Sequence, residues 1–336
     1  MLESTLNNLE RVLFYYGLKP LTIQQHGKRF QVFTEDKVYS LKKVATEDRL
    51  RCTLQTQNKL LSLSLNILPL LTTTEGLQYA TVDGETYYVT PWLEETPLSN
   101  DRKGDMLIDY LSYMHQATVE LEPIENIKKI DEGLELMKRH WQERLDWLAT
   151  FIYRADHRIY PSPFEQLVVA HYAIFIQKTH HAMKRLEVWR EHAKKSSMQR
   201  LVYCIGKSDP SHFIFSAGRL MAVNMEHGGI DTPLKDLATM FDSPHFCIRD
   251  WVRAFNLYET TFPLRRIEKE LLISFLHYPG SIFETVKAYE SAKSVDREWS
   301  FVEQFERVHH QEPQREALIQ ALEAKKYDDD QHDHSS

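Results

Sequence analysis

The spacing of hydrophobic residues changes character twice along the chain. Over residues 1–18, Leu6, Leu9, Val12, Leu13 and Tyr16 recur at three- and four-residue intervals and mark one apolar helix face. The period then shortens to two. Three short β-type runs at 22–25, 29–34 and 37–42 are separated by turn-forming His26-Gly27-Lys28 and Glu35-Asp36. A helical period returns at 47–65, where Leu50, Leu54, Leu60 and Leu61 share a face. Two more strand-like runs, 77–82 and 86–90, flank Asp83-Gly84, a hairpin turn signal. After an opening helix, the first 95 residues predict β-β-β-α-β-β.

Beyond residue 96 the pattern is mostly helical. Leu107, Tyr110, Leu111 and Met114 form one stripe, and Met137, Trp141, Leu145, Leu148 and Ile152 another. Ser162-Pro163-Phe164-Glu165 predicts a helix start, with Ser as N-cap, Pro in the first helical position and Glu three residues after the cap. Residues 164–195 contain neither Gly nor Pro, so a long helix is expected. A short β-rich insert interrupts at 201–225, and helical patterns resume from about 245 to 325. The expected organisation is a β-rich lobe over 1–95, a mainly helical lobe over 96–325, and a disordered acidic tail over 326–336.

Composition narrows the function classes. Hydrophobic residues make up 42 % of the 336, enough for a real core. The net charge is −7, and removing the tail acids Asp328, Asp329, Asp330 and Asp333 leaves −3. With no basic block, the chain has no electrostatic reason to bind nucleic acid. Cys52, Cys204 and Cys247 are too few and too far apart for a disulfide framework or a zinc pattern, which predicts synthesis in a reducing compartment. The N-terminal residues lack the apolar stretch of a signal peptide, and no run is long enough to predict membrane insertion.

Local motifs for chemistry are sparse. Ile205-Gly206-Lys207-Ser208 resembles the end of a phosphate-binding loop, but Leu201 stands where that motif needs Gly. A turn and a strand follow it rather than a helix. There is no dinucleotide-binding glycine pattern. The histidine pairs 180–181 and 309–310 are adjacent, so on a helix they point about 100° apart and make poor joint metal ligands.

The order of elements over longer range carries more. Val38-Tyr39-Ser40-Leu41-Lys42 ends the third strand in a lysine. A helix and two strands follow, then the linker Pro91-Trp92-Leu93-Glu94-Glu95 and a helix ending at His115. Some ninety residues on come Tyr203-Cys204-Ile205-Gly206-Lys207-Ser208-Asp209-Pro210-Ser211-His212-Phe213-Ile214-Phe215, then Val223-Asn224-Met225-Glu226 and Pro233-Leu234-Lys235-Asp236-Leu237-Ala238. This order, over about residues 5–300, resembles the aminoglycoside phosphotransferase and choline-kinase-like proteins. Within them it resembles most the bacterial spore-coat branch, the CotS family with its YsxE-like and YutH-like members, the YsxE-like being the nearer.

The resemblance implies an α+β, bilobed, protein-kinase-like fold, and it assigns a role to each position. Phosphoryl transfer needs a phosphate-holding Lys fixed by a helix Glu, a catalytic Asp, and an Asn and a second Asp on magnesium. Lys42 matches the Lys, with Lys43 as a rival that strand alternation alone does not exclude. The helix Glu has no counterpart between 49 and 74, where Gln55 and Gln57 stand instead. Lys207 matches the catalytic Asp, and a lysine of ordinary basicity accepts no proton at pH 7. His212 matches the Asn and is a poor magnesium ligand. Asn224 matches the metal Asp, and Asp236 matches a structural Asp that braces the catalytic loop.

The expectation is therefore a catalytically degenerate protein that needs neither ATP nor magnesium. It would be made in the mother-cell cytoplasm and deposited on the spore coat, where it binds other coat proteins. Lys42 and Lys207 would leave an inter-lobe cleft suited to an anion. The alternatives are a phosphotransferase with Asp209 as displaced base and Glu226 as metal oxygen, and a scaffold that binds nucleotide without turnover.

Overall fold

The computed structural model describes residues 2–27, 29–44, 47–124, 127–223, 225–246, 248–292 and 297–333. Two compact units divide the chain: Met1–Leu98 with Ser211–Gly229, and Ser99–Pro210 with Ile230–Ser336.

The first unit opens with α1 (Leu2–Tyr15), β1 (Thr22–His26), β2 (Arg29–Phe33), β3 (Val38–Val44), α2 (Glu47–Ser62), β4 (Ala80–Val82) and β5 (Glu85–Pro91). The strands form one antiparallel sheet in the order β1-β2-β3-β5-β4. Asp83 and Gly84 take φ of 50° and 76°, the left-handed conformations that a two-residue hairpin demands. Alternation sends Val32, Leu41 and Val89 to one face, where they pack with Leu9, Val12 and Leu13 of α1. Leu50 and Leu54 of α2 pack with Tyr88 in a smaller cluster.

The second unit begins with α3 (Asn100–Thr118), β6 (Glu120–Pro123), α4 (Ile127–Asp156), α5 (Pro163–Ala193) and β7 (Met198–Cys204). The capping box at the start of α5 is complete: Ser162 Oγ accepts from Glu165 N at 3.2 Å and Glu165 Oε2 accepts from Ser162 N at 2.9 Å. α4 and α5 run antiparallel, because Asp131 near the start of α4 meets Arg190 near the end of α5 at 2.6 Å, and Lys138, further along α4, meets Glu187, further back along α5.

The chain then returns to the first unit as a hairpin of β8 (Phe213–Ser216) and β9 (Arg219–Ala222), turning on Ala217 and Gly218. The sequence places 211–226 in the helical lobe. The backbone places it elsewhere, since Ala222 N donates to Asn66 O and Leu68 N to Ala222 O, both at 3.0 Å, and Thr96 N donates to Phe215 O at 2.8 Å. Those peptide groups find their partners within the first unit.

β10 (Gly229–Asp231) follows as an edge of the sheet β10-β7-β6. After it come α6 (Leu234–Asp242), α7 (Trp251–Thr261), α8 (Arg266–His277), α9 (Gly280–Ser291), α10 (Glu298–His310) and α11 (Glu312–Asp333). Leu148 and Phe151 of α4, Phe164 and Val168 of α5, Phe283 and Val286 of α9 and Phe305 of α10 share one core. α11 continues to Asp333, into the stretch expected to be a disordered tail; residues 316–326, rich in Ala, Glu, Lys and Leu, favour the helix that runs into it. Among the described residues no helix is long and apolar enough to cross a membrane.

One packing contact of the helical unit makes its stability depend on acid. His277 at the end of α8 faces His181 of α5 with ring centroids 5.7 Å apart. Burial, with His181, Arg185, Lys178 and Arg315 nearby, pushes the His277 imidazole down to about 4. Between that value and about 6.5 the unfolded ring binds a proton that the folded ring refuses, so acid favours unfolding. The contribution of His277 is whole above pH 6.5 and is lost progressively as pH falls toward 4. Urea midpoints measured across this range should decline, and His277→Gln should flatten the decline; an unchanged slope in the variant would assign it to other groups.

Candidate functional site

In the second unit the loop after β7 is held from beneath by Asp236. This carboxylate, in the first turn of α6, is fully buried. Its Oδ2 accepts from Ile205 N at 2.8 Å and its Oδ1 from Gly206 N at 2.9 Å, while Oδ2 also lies 3.3 Å from His115 Nε2. His115 Nδ1 is 2.7 Å from the Tyr258 hydroxyl. The set is satisfied when Nε2–H donates to Asp236 and the Tyr258 O–H donates to Nδ1. Ser208, also buried, donates its hydroxyl to the Asp236 carbonyl. Gly206 takes φ of 75°, a conformation that suits the reversal between strand and loop.

The held loop presents Lys207, which is exposed, at the position that the resemblance gives to the catalytic Asp. Asp209, the displaced-base candidate, accepts from the hydroxyl of Ser243, the residue that caps the end of α6. Ser243 is itself fixed by Gln311, whose Nε2 donates to Ser243 O at 3.1 Å and Phe246 O at 3.0 Å.

The ligand atoms of His115, Cys204 and Asp236 lie within 4.8 Å of one another, a spacing that a metal could bridge. Their chemistry speaks against one. Asp236 already accepts two peptide N–H groups. Burial, with Asp236 and Asp231 nearby, pushes the Cys204 thiol up, and its Sγ–H donates to Thr232 O at 3.2 Å. The trio is a hydrogen-bonded core.

In the first unit the choice between the two lysines is made by their partners. Lys43 extends outward to an ion pair with Glu85, and this hydrogen bond, with that of Tyr87, holds the Glu85 carboxyl below the usual range. Lys42 turns to the opposite face of β3, with Nζ 5.9 Å from the Tyr88 ring centroid. There it lines a cavity of about 40 Å³ with Arg29, its cross-strand neighbour, and with Ser40, Gln57, Val223 and Met225. That volume has room for water beside the two cations. Gln57, one of the two glutamines that stand in the helix where an acid was sought, is buried and donates its amide to Leu68 O at 2.6 Å.

Lys42, His212 and Glu226 thus belong to the first unit, and Lys207, Asp209 and Asp236 to the second. His212 ends a short 3₁₀ turn, Pro210–His212, and its carbonyl accepts from Val223 N at 2.9 Å. Asn224 and the side chains of Gln55 and Glu226 lie outside the described residues. Where the resemblance gives an Asp and an Asn, an ammonium stands at 207 and an imidazole at 212, and neither is an oxygen ligand of the kind that magnesium prefers. Arg29, Tyr258 and Ser243 were missed in the sequence. Tyr258 and Ser243 become visible only through partners far along the chain, and Arg29 only through its strand pairing with Lys42.

Among solved structures the chain is similar to an aminoglycoside phosphotransferase from Alicyclobacillus acidocaldarius, with 16 % identity, a TM-score of 0.70, and 95 % of this chain and 96 % of that one covered. It is similar also to a spectinomycin phosphotransferase solved with ADP and spectinomycin (14 %, 0.59, covering 95 % and 98 %). A third similar structure is choline kinase LicA from Streptococcus pneumoniae (16 %, 0.50, covering 94 % and 99 %). At such identities the likeness shows the fold: a small antiparallel-sheet unit and a helical unit of the aminoglycoside phosphotransferase and choline-kinase-like type. Comparison with curated proteins finds no match. The family model that does match is the YutH one, where the sequence alone put the YsxE-like branch nearer. It is described as "Spore coat putative kinase YutH" and matches residues 10–322, and the chain belongs to that family.

Proposed function

We propose that this kinase-fold protein is catalytically silent and serves the bacterial spore coat as a binding and structural component. On this reading it is made in the mother-cell cytoplasm, deposited on the coat, and held there by other coat proteins. The family description supplies the coat. The silence rests on one observation: the loop that Asp236 holds carries the Lys207 ammonium at the position of the proton acceptor, and the nearest carboxylate in sequence, Asp209, is engaged by Ser243. Loss of a general base and of transition-state charge stabilisation each costs about two to three powers of ten in rate. Purified protein with magnesium, ATP and hydroxylated acceptors should therefore show no turnover above background, and Asp209→Ala should leave that background unchanged. Turnover that disappears in Asp209→Ala would overturn the proposal in favour of a phosphotransferase with displaced catalytic residues, the reading that the word kinase in the family description favours.

A further inference from the structure

The α4–α5 hairpin carries a large apolar tip at one end and an apolar socket at the other. At the tip, in the loop between the two helices, Ile159 is 88 % and Tyr160 90 % exposed. Two adjacent large side chains so fully in water have no part in the fold, and the loop that displays them is firmly built. Arg158 pairs with the buried Glu165 at 2.7 Å. Pro161 O accepts from Gln166 Nε2 at 3.2 Å, and Ser162 Oγ is 2.9 Å from the Tyr289 hydroxyl. Tyr153 packs on His157 with ring centroids 4.1 Å apart. A preorganised display of this kind lowers the ordering cost of an interface.

The socket lies where α4 begins and α5 ends. Ile130, Trp189, Leu201, Leu234, Ile267 and Leu271 line a cavity of about 220 Å³. Ligand pockets run to roughly 300–1,000 Å³, so this one is of a size for one or two side chains. Its rim charges cancel in pairs, Arg200 with Glu268 and Asp231 with Lys235. Arg265 is the exception: its guanidinium reaches Met198 O at 3.4 Å and has no carboxylate partner among the described residues. Beside the tip, exposed Asp156 likewise has no ion pair among the described residues.

The helices keep tip and socket apart. α4 has 30 residues, about 45 Å at 1.5 Å per residue, so a tip cannot enter its own socket. We infer that copies of the chain associate head to tail, the Ile159–Tyr160 tip of one entering the socket of the next, with Asp156 set against Arg265. Tip and socket are different surfaces, so the contact is heterologous and grows as an open chain unless its rotation closes a ring. The inference does not depend on catalytic silence.

Sedimentation equilibrium of the full chain over increasing concentration tests it. The wild-type mass should rise past the dimer, while the double variant Ile159→Ser/Tyr160→Ser and the rim variant Arg265→Glu should each stay monomeric. Both changes are at exposed positions, and unchanged circular dichroism would show that they fold. Mixing the two variants distinguishes this contact from any other. The tip variant keeps a whole socket and the rim variant a whole tip. Only in the mixed pair does a whole tip meet a socket whose rim still carries Arg265, so a one-to-one dimer should form and grow no further. A wild-type chain that stays monomeric or stops at the dimer, a tip variant that assembles like wild type, or a mixture that stays monomeric would overturn the proposal.

Discussion

Asp236→Ala is expected to lower the stability of the helical unit by about 3–5 kcal/mol, the range for removing one partner from a buried charged network. The substitution strips the acceptor from the peptide N–H groups of Ile205 and Gly206 and from His115 Nε2. Each buried donor left without an acceptor costs about 1–3 kcal/mol. Water cannot easily take the place of the carboxylate, because Asp236, His115 and Ser208 are all fully buried. Asp236→Asn keeps one oxygen in place and should cost less, which separates lost hydrogen bonding from lost charge. Urea unfolding followed by tryptophan fluorescence reads the difference. A loss below about 1 kcal/mol in the alanine variant would mean that the loop is held by something other than this brace.

The same residue shows what could be read from sequence. Its bracing role came from the resemblance, through the register of Phe213-Ile214-Phe215 and the Pro233–Ala238 segment. His115 was visible only as the end of a helical stripe, and Tyr258, 143 residues further on, gave no signal at all. Features whose chemistry lies within four residues were legible: the Ser162–Glu165 capping box and the Asp83-Gly84 turn are present as expected. β6 was not, because all four of its residues are exposed and no buried face sets an alternation. The placement of the 213–222 hairpin also escaped, since its partners at 66–68 are about 150 residues away. Lys42 and Lys43 could not be told apart until Glu85 took one of them. Asp209 looked available as a base because Ser243, 34 residues on, has no local motif to announce it.

That hold on Asp209 depends on the core behind it, and Trp251→Ala is the second large effect expected, again about 3–5 kcal/mol. Trp251 opens α7, is fully buried, and has ring centroids 5.1 Å from Phe241 and 6.1 Å from Phe246. The Arg315 guanidinium covers it at 5.5 Å. Alanine leaves a cavity and takes away the face on which a nearly buried cation rests. Trp251→Phe should cost far less, about 1.5 kcal/mol or under, because it keeps a ring in place. It also removes the indole N–H, which is buried without a hydrogen-bond partner among the described residues. The two variants should differ at the site as well. Arg315 reaches Asp242 at 3.2 Å, next to Ser243, and Phe246 N donates to Ser243 O at 3.1 Å. Amide hydrogen exchange at 243 and 246 should therefore quicken in the alanine variant and stay near wild type in the phenylalanine one. Equal exchange in both would show that Ser243, and with it the Asp209 carboxylate, is held by Gln311 without help from the aromatic core.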